Sequence, residues 1–538
     1  MKKRIILLIA GSLAVFTSCK KELIEKSYDF LVPSSFYKTE ADANAAIIGV
    51  YNTLLSNGFY GNFWQYENDS DHASGPSWFF GHTGQGNFLG FWGTDTPWND
   101  RYVMISRTNS VLENVGGMNI SEDVKQRVLG EAYFFRAFAY FDLVRLYGGV
   151  PLHLHTVASG VEPASMPRAS VTEVYAQIIA DLKQAETMLF PYKDPKSGGL
   201  GHVTKDGASL LLAKAYATMA SGALNGVTIY VWTERIADGD NRSYANYPFV
   251  KKVVAGLEGV NSEEYFKLAM EKSAEVIATS GRTLFPSFMD NFKLSNKHRE
   301  ENMLMAEFFG ASLTEGALVQ VYSGFQLYGP ATGGGWCWAT KAFYNNYLNE
   351  GIKQDERALY GINHRPDILG KFYFPQQDLE YATDGYSWRK EEDKAYTTKY
   401  DDVAQKVLGA GNARYPIMRL ADAYLINAEA NNELGHSGDA YTSLNAIRRR
   451  AKTLDAPGGM NKDALRSFIL EERGREFLFE SNRRYDLLRW GIYLGVMNFM
   501  NVDRFNIVKA RDNRSQLLPI PLSEINSNTT MEVNNPGW

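Results

Sequence analysis

Apolar residues fall at helical spacing in two long stretches of this chain and lose that spacing between them. From Glu122 to Tyr147, the residues Val124, Val128, Ala132, Phe135, Ala139, Leu143 and Leu146 recur at threes and fours. That spacing predicts an amphipathic helix, stopped by Gly148, Gly149 and Pro151. Further helices are predicted at 171–189, at 205–222 and at 265–281, all within a first helical region spanning 40–281. In 205–222, small and large residues alternate on one face through Ala208, Leu211, Leu212, Ala215, Tyr216 and Met219. A second helical region spans 414–500. There Ala421, Tyr424, Leu425, Ala428 and Leu434 form one stripe closed by Gly435, and a short turn leads to a helix at 439–452. Paired helices of this kind resemble tetratricopeptide units, without a regular repeat of about 34 residues. A single pair leaves an apolar face open, so stacked pairs are expected to form a curved scaffold. Residues 57–100 and 282–412 are rich in Gly, Asn, Asp and aromatics and have weak periodicity, and 225–248 reads as an insertion loop. The predicted fold class is mainly α: a tetratricopeptide-like scaffold of helical pairs with a loop-rich, aromatic-rich half packed on it.

The N-terminus changes the picture of where this body sits. Lys2, Lys3 and Arg4 precede an apolar stretch from Ile5 to Phe16, then Thr17, Ser18 and Cys19. This is the layout of a lipoprotein signal peptide over 1–18, with Cys19 as the lipidated residue and 19–30 as a flexible tether. The remaining 31–538 is the folded domain. Removing 1–18 takes the formal charge from −5 to −8 by deleting three cations. A chain without a basic footprint is not expected to bind nucleic acid. Cys337 is the only other cysteine, so with Cys19 lipidated no disulfide framework is expected.

Catalytic signatures are sparse. There is no HExxH, CxxC, EF-hand loop, P-loop or GxSxG elbow, and His153 and His155 lack a third ligand nearby. No metal and no cofactor is expected. Asp69, Asp71 and His72 have the residue types of a metal or acid–base site, but a polar loop held by side-chain hydrogen bonds is the favoured reading. Residues 468–491 read as one helix in which Glu471 and Arg475, and Glu480 and Arg484, stand four apart. The glutamates 471, 472, 476 and 480 are therefore expected to form a partly buried ion network and no catalytic pair.

Aromatic residues stand out instead, at 13% of the chain. They crowd two Gly-rich segments, and the candidate ligand contacts are Trp78, Phe79, Trp92 and Trp98 in the first and Tyr328, Trp336 and Trp338 in the second. Sugar rings present C–H faces that dock on aromatic faces, while Asn, Asp and Gln bond the hydroxyls. Aromatics in Gly-rich loops are placed to be exposed, and the opposing reading is a second buried core. The insertion, with Trp232, Tyr244 and Asn246, is the next aromatic candidate.

Four stretches in order resemble the SusD/RagB family: RVLGEAYFFRAFAYFDLVRLYGGVPL from Arg127, YPIMRLADAYLINAEANNELGHSGDAYTSLNAIRRRA from Tyr415, FILEERGREFLFESNRRYDLLRWG from Phe468, and LLPIPLSEINSNTTMEVNNPGW ending at Trp538. With the lipobox, the resemblance spans the chain. It implies a non-enzymatic lipoprotein of the outer membrane, facing the cell exterior. Such a protein captures glycan on aromatic loops and delivers it to a SusC-like TonB-dependent transporter. The loops do not match residue by residue, so no single contact is carried over. The alternatives are oligopeptide capture by the same mechanism and, from a different class, a surface glycoside hydrolase. The latter requires two carboxylates across a cleft, for which only Asp69, Asp71 and Asp95 lie among the early aromatics.

Overall fold

The computed structural model describes residues 36–538 apart from 62–63, 81–82, 89–94, 164, 239–240, 309–320, 323–334, 350–354, 363–393, 403–411 and 532. Its principal helices are α1 (Glu40–Tyr51), α2 (Asp95–Val115), α3 (Glu122–Tyr147), α4 (Val171–Met188), α5 (Lys205–Ala223), α6 (Ser262–Thr279), α7 (Lys341–Asn349), α8 (Leu420–Glu433), α9 (Ser437–Arg450), α10 (Lys462–Glu476), α11 (Arg483–Arg489) and α12 (Tyr493–Met500). The strands are β1 (Ala73–Ser74), β2 (Thr228–Asp238), β3 (Asn241–Val250), β4 (Asn302–Glu307), β5 (Trp338–Ala339) and β6 (Arg414–Arg419). Among the described residues the strands form three antiparallel two-stranded ribbons, β1–β5, β2–β3 and β4–β6. No helix among these residues is long and apolar enough to cross a membrane.

The helices pair as their patterning predicts: α3 packs on α4, α5 on α6 and α8 on α9, and the pairs stack through α4 on α5, α6 on α8 and α8 on α10. Local chemistry sets the ends. Ser170 caps α4 reciprocally with Glu173, and Thr39 caps α1 with Asp42. Gly435, at φ 85°, turns the chain between α8 and α9. The main core lies between the pairs. A second, aromatic core of Phe288, Phe292, Tyr322, Phe343, Tyr400, Tyr415 and Phe479 fills the loop-rich half. Part of the aromatic excess is therefore buried there.

Three readings are corrected. Residues 225–248 are not a loop but the bulk of the β2–β3 hairpin, in which Ile229, Val231 and Thr233 alternate inward. That period of two is a strand signal. Residues 414–419, placed at the start of a helical region, form β6 against β4. Residues 468–491 are two helices, α10 and α11, parted by a turn in which Phe479 and Ser481 take positive φ of 60° and 52°.

That turn redirects the charges. Glu480 pairs with Arg419 and Lys399, each at 2.8 Å, and Arg484 pairs with Asp69 at 2.7 Å. Glu476 meets Arg419 at 2.8 Å, Arg357 at 3.3 Å and also Arg450. Glu472 meets Arg448 at 2.6 Å and Arg357 and Arg475 at 2.7 Å. Glu301 joins Arg419 and Arg450 at 2.7 and 2.6 Å. All of these side chains are buried, so the acids form the expected ion network, with partners drawn mostly from other elements. Burial would raise the Glu476 carboxyl, but Arg450 and Arg419 hold it down at about 2. Glu67 lies in the opposite balance. Burial pushes it up to about 7 against the hydrogen bond it accepts from the Ser481 amide at 2.8 Å.

Two predictions follow from these opposed shifts. Replacing Glu476 with alanine leaves three buried guanidiniums short of a partner, and the unfolding free energy in urea is expected to fall by about 3–5 kcal/mol at pH 7. The stabilising charge on Glu476 is present above the ordinary glutamate pKa and is lost as pH falls toward 2, so the cost of the substitution shrinks in acid. Glu67 acts with the other sign: its contribution is complete below the ordinary glutamate pKa and is lost as pH rises through about 7. Glu67→Gln is expected to raise stability by about 2–3 kcal/mol at pH 8 and to leave it nearly unchanged at pH 4, measured by thermal unfolding across pH.

Candidate functional site

The two aromatic segments nominated from sequence meet in the fold. Strand β1 pairs with β5, setting Ala73 opposite Ala339 and Ser74 opposite Trp338. The Thr340 amide donates to the His72 carbonyl at 2.7 Å, and its hydroxyl donates to the Asp71 carbonyl at 3.1 Å. From the C-terminal part of the chain, Lys509 donates to the carbonyls of Ser70 and Ala73 at 3.1 and 2.7 Å. The Ser74 hydroxyl donates to Asp503 at 2.6 Å. Asp503 also accepts from the amides of Phe505 and Ile507, which places Phe505 against Trp338 at 5.0 Å between ring centroids.

On this platform Trp78, in the short helix Ser77–Phe80, is 63% exposed. Its ring meets Trp336 edge to face, with centroids 5.3 Å apart and planes at 83°. Trp336 is half-buried, and its amide donates to the Val321 carbonyl at 3.0 Å. The pair offers two nearly perpendicular aromatic surfaces, a geometry suited to a ring that stacks on one face and abuts the other.

For two nominated residues the expectation of an open stacking face is corrected. Trp98 lies within α2 and is 3% exposed, packed on Tyr102 and Tyr147 at 4.9 and 5.0 Å. Trp338 is equally buried, between Phe505 and Tyr396 with Lys394 over its ring at 5.0 Å. Its close backbone pairing in β5 turns the side chain inward. Trp92 and Tyr328 lie outside the described residues, as do Cys19 and the side chain of Phe79. Sequence reading missed the polar frame of Ser74, Thr340, Asp503 and Lys509. These residues carry no periodic or aromatic signal, and Asp503 and Lys509 are more than 400 positions from the turn they hold. The hairpin adjoins the site: the Trp232 indole donates to the Ala342 carbonyl at 2.7 Å, and Arg242 donates to the Val502 and Asp503 carbonyls at 2.8 Å.

The acid–base candidates beside the site are structural. Asp69 is buried between Arg484 and Arg511, at 2.7 and 3.0 Å, and accepts the Tyr493 hydroxyl at 2.6 Å. Burial would raise the Asp71 carboxyl, but Arg483, bonded through two 2.8 Å contacts, holds it down at about 2. His72 is kept neutral, its pKa driven well below the usual value by burial and by Arg483. It lies 3.7 Å from the Phe343 ring centroid. It also sits so close to α10 that a Cβ on Gly474 would stand 2.5 Å from its ring, which is why that helix carries a glycine there. Asp95 stands at the exposed first turn of α2, apart from both. Among the described residues no group of three or more His, Cys, Asp or Glu is placed to hold a metal ion.

Comparison with known proteins agrees with this architecture. The SusD family model matches residues 339–538, and a second model, described as "Starch-binding associating with outer membrane", matches 90–217. SusD-like protein P2 of Formosa agariphila is 27% identical over 539 residues, covering 96% of each chain. Starch-binding protein SusD of Bacteroides thetaiotaomicron is 25% identical over 476 residues, covering 80% of this chain and 76% of its own. A crystal structure of a SusD homologue from Bacteroides thetaiotaomicron superposes with a TM-score of 0.75 at 20% identity, over 94% of this chain and 98% of that one. A laminarin-binding SusD-like protein superposes at 0.67 with 22% identity, over 93% and 100%. With the helical pairs, the ordered sequence motifs and relatives along nearly its whole length in agreement, the chain belongs to the SusD/RagB family.

Proposed function

We propose that this protein captures glycan at the outer face of the outer membrane and hands it to a SusC-like TonB-dependent transporter, breaking no bond itself. The observation that carries the reading is the exposed Trp78 set edge to face with Trp336 on a platform stitched from two distant segments. Support comes also from relatives and structural neighbours whose names speak of binding starch, laminarin and surface glycan. The hydrolase alternative is disfavoured because Asp69 and Asp71 are locked in buried ion pairs. In this reading residues 1–18 are a signal peptide, Cys19 carries the lipid, 19–30 tether the domain, and Trp78, Phe79, Trp92, Tyr328 and Trp336 contact the ligand.

Calorimetry against maltooligosaccharides and laminarin oligosaccharides tests the site. For whichever series binds, Trp78→Ala and Trp336→Ala are each expected to weaken affinity about tenfold or more, with unchanged melting temperature. Tyr216→Ala, in the scaffold, is expected to lower the melting temperature instead. Undiminished binding by both tryptophan variants would place the site elsewhere, and release of shortened sugars on incubation would return the protein to the hydrolases. The anchor is tested separately. Cys19→Ala is expected to shift the protein from the outer-membrane fraction to the soluble fraction, and a variant that still sediments with membrane contradicts the assignment.

A further inference from the structure

The helical scaffold encloses a cleft of about 580 Å³ that shares no residue with the aromatic surface. Its volume falls in the range of about 300–1,000 Å³ usual for small-molecule sites. The walls come from α3, α4, α5, α8, α10 and α11, from 254–257 and from the C-terminal segment, and they are largely apolar, with Val171, Tyr175, Val254, Leu257 and Leu517 among them.

Five cationic side chains line the cleft, against the single carboxylate of Asp486. Four of the five are answered from behind the wall. Lys214 and Arg473 each lie 2.8 Å from Asp422, Arg489 lies 2.5 Å from Glu429, and Arg145 pairs with Asp142. Arg168 is different. Its Nε donates to the Gly149 carbonyl at 2.8 Å, and one terminal nitrogen donates to the Tyr147 carbonyl and the Asn535 side chain at 3.1 and 2.8 Å. Among the described residues it pairs with no carboxylate. Three neutral acceptors thus fix the plane of a half-buried guanidinium and leave its charge unmatched, and burial draws its pKa below the usual arginine range.

We propose that this cleft is a second ligand site, which takes a small organic anion with an apolar body. The carboxylate sits on Arg168 and the body lies against Tyr175, Leu257 and Leu517. The chemistry selects that class. A neutral sugar would find amides for some of its hydroxyls at Asn482, Asn513 and Gln516, but it would press the others on the apolar walls and leave the charge of Arg168 unanswered. A polyphosphate would bring more negative charge than one unmatched cation answers. A single carboxylate forms a charge-assisted pair with the guanidinium, and its apolar body fills the rest.

The test is calorimetry of the full chain with 4-phenylbutyrate and with its neutral amide, 4-phenylbutyramide. The carboxylate is expected to bind saturably at one site, about tenfold or more tighter than the amide. Arg168→Gln should bring the carboxylate down to the affinity of the amide with an unchanged melting temperature. Val254→Trp, which fills the cleft from its wall, should abolish binding of both while glycan binding persists. The proposal is overturned if neither compound binds saturably, if carboxylate and amide bind equally to the native chain, or if Arg168→Gln binds the carboxylate as tightly as the native chain does.

Discussion

A carboxylate moved from water into a protein interior costs several kcal/mol unless cations meet it there, and helix α10 takes three of them inside: Glu471, Glu472 and Glu476. The arginines that answer them come from β6, α9, the short helix Glu356–Leu359 and the start of α11. None of those elements can shift without stripping a partner from a buried charge. Replacing all of these groups with apolar residues of the same shape could give an equally stable core. What the ions add is a demand for one arrangement, since a guanidinium satisfied by two or three carboxylates in fixed directions does not tolerate a slipped register.

The Trp78–Trp336 surface rests on the same frame. Asp69 and Asp71 tie the early turn to Arg484 and Arg483 at the head of α11, and the next few residues pair with β5. His72 packs into the hollow left by Gly474, so the turn touches the charged helix itself. Trp78 and Trp336 stand at the outer edge of this chain of contacts, above residues fixed by buried ion pairs and hydrogen bonds. Order is useful in such a surface, since aromatic faces already held in place lose little conformational freedom when a ligand arrives.

The scaffold was legible because its signals are local. Apolar periodicity located α3, α4, α5 and α8 to within a few residues, and the Ser170–Glu173 box marks the start of α4. The break between α10 and α11 was not legible, because no Gly or Pro announces it and two non-glycine residues adopt positive φ there. The composition of 225–248 is that of a loop and hides the hairpin, although Ile229, Val231 and Thr233 alternate as a strand does. For the site, composition identified the two segments that meet, but not which rings stay open. Trp98 carried its own warning, standing at helical spacing from Tyr102 and Ile105. The burial of Trp338 depends on Phe505 and Tyr396, which lie far along the chain, and no local pattern reveals such partners.

The turn at 69–74 is held on one side by residues 338–340 and on the other by residues 483–511, the latter across separations of more than 400 positions. Contacts of that span close the longest loops in the chain and form late, because their entropy cost must be met before they gain anything. During synthesis the helical pairs can assemble one after another as they emerge, whereas Asp69 and Asp71 lack Arg484 and Arg483 until α11 arrives. The surface that carries Trp78 is therefore closed only once α11 is in place, and a chain that stalls short of α11 leaves that turn without the ions that close it.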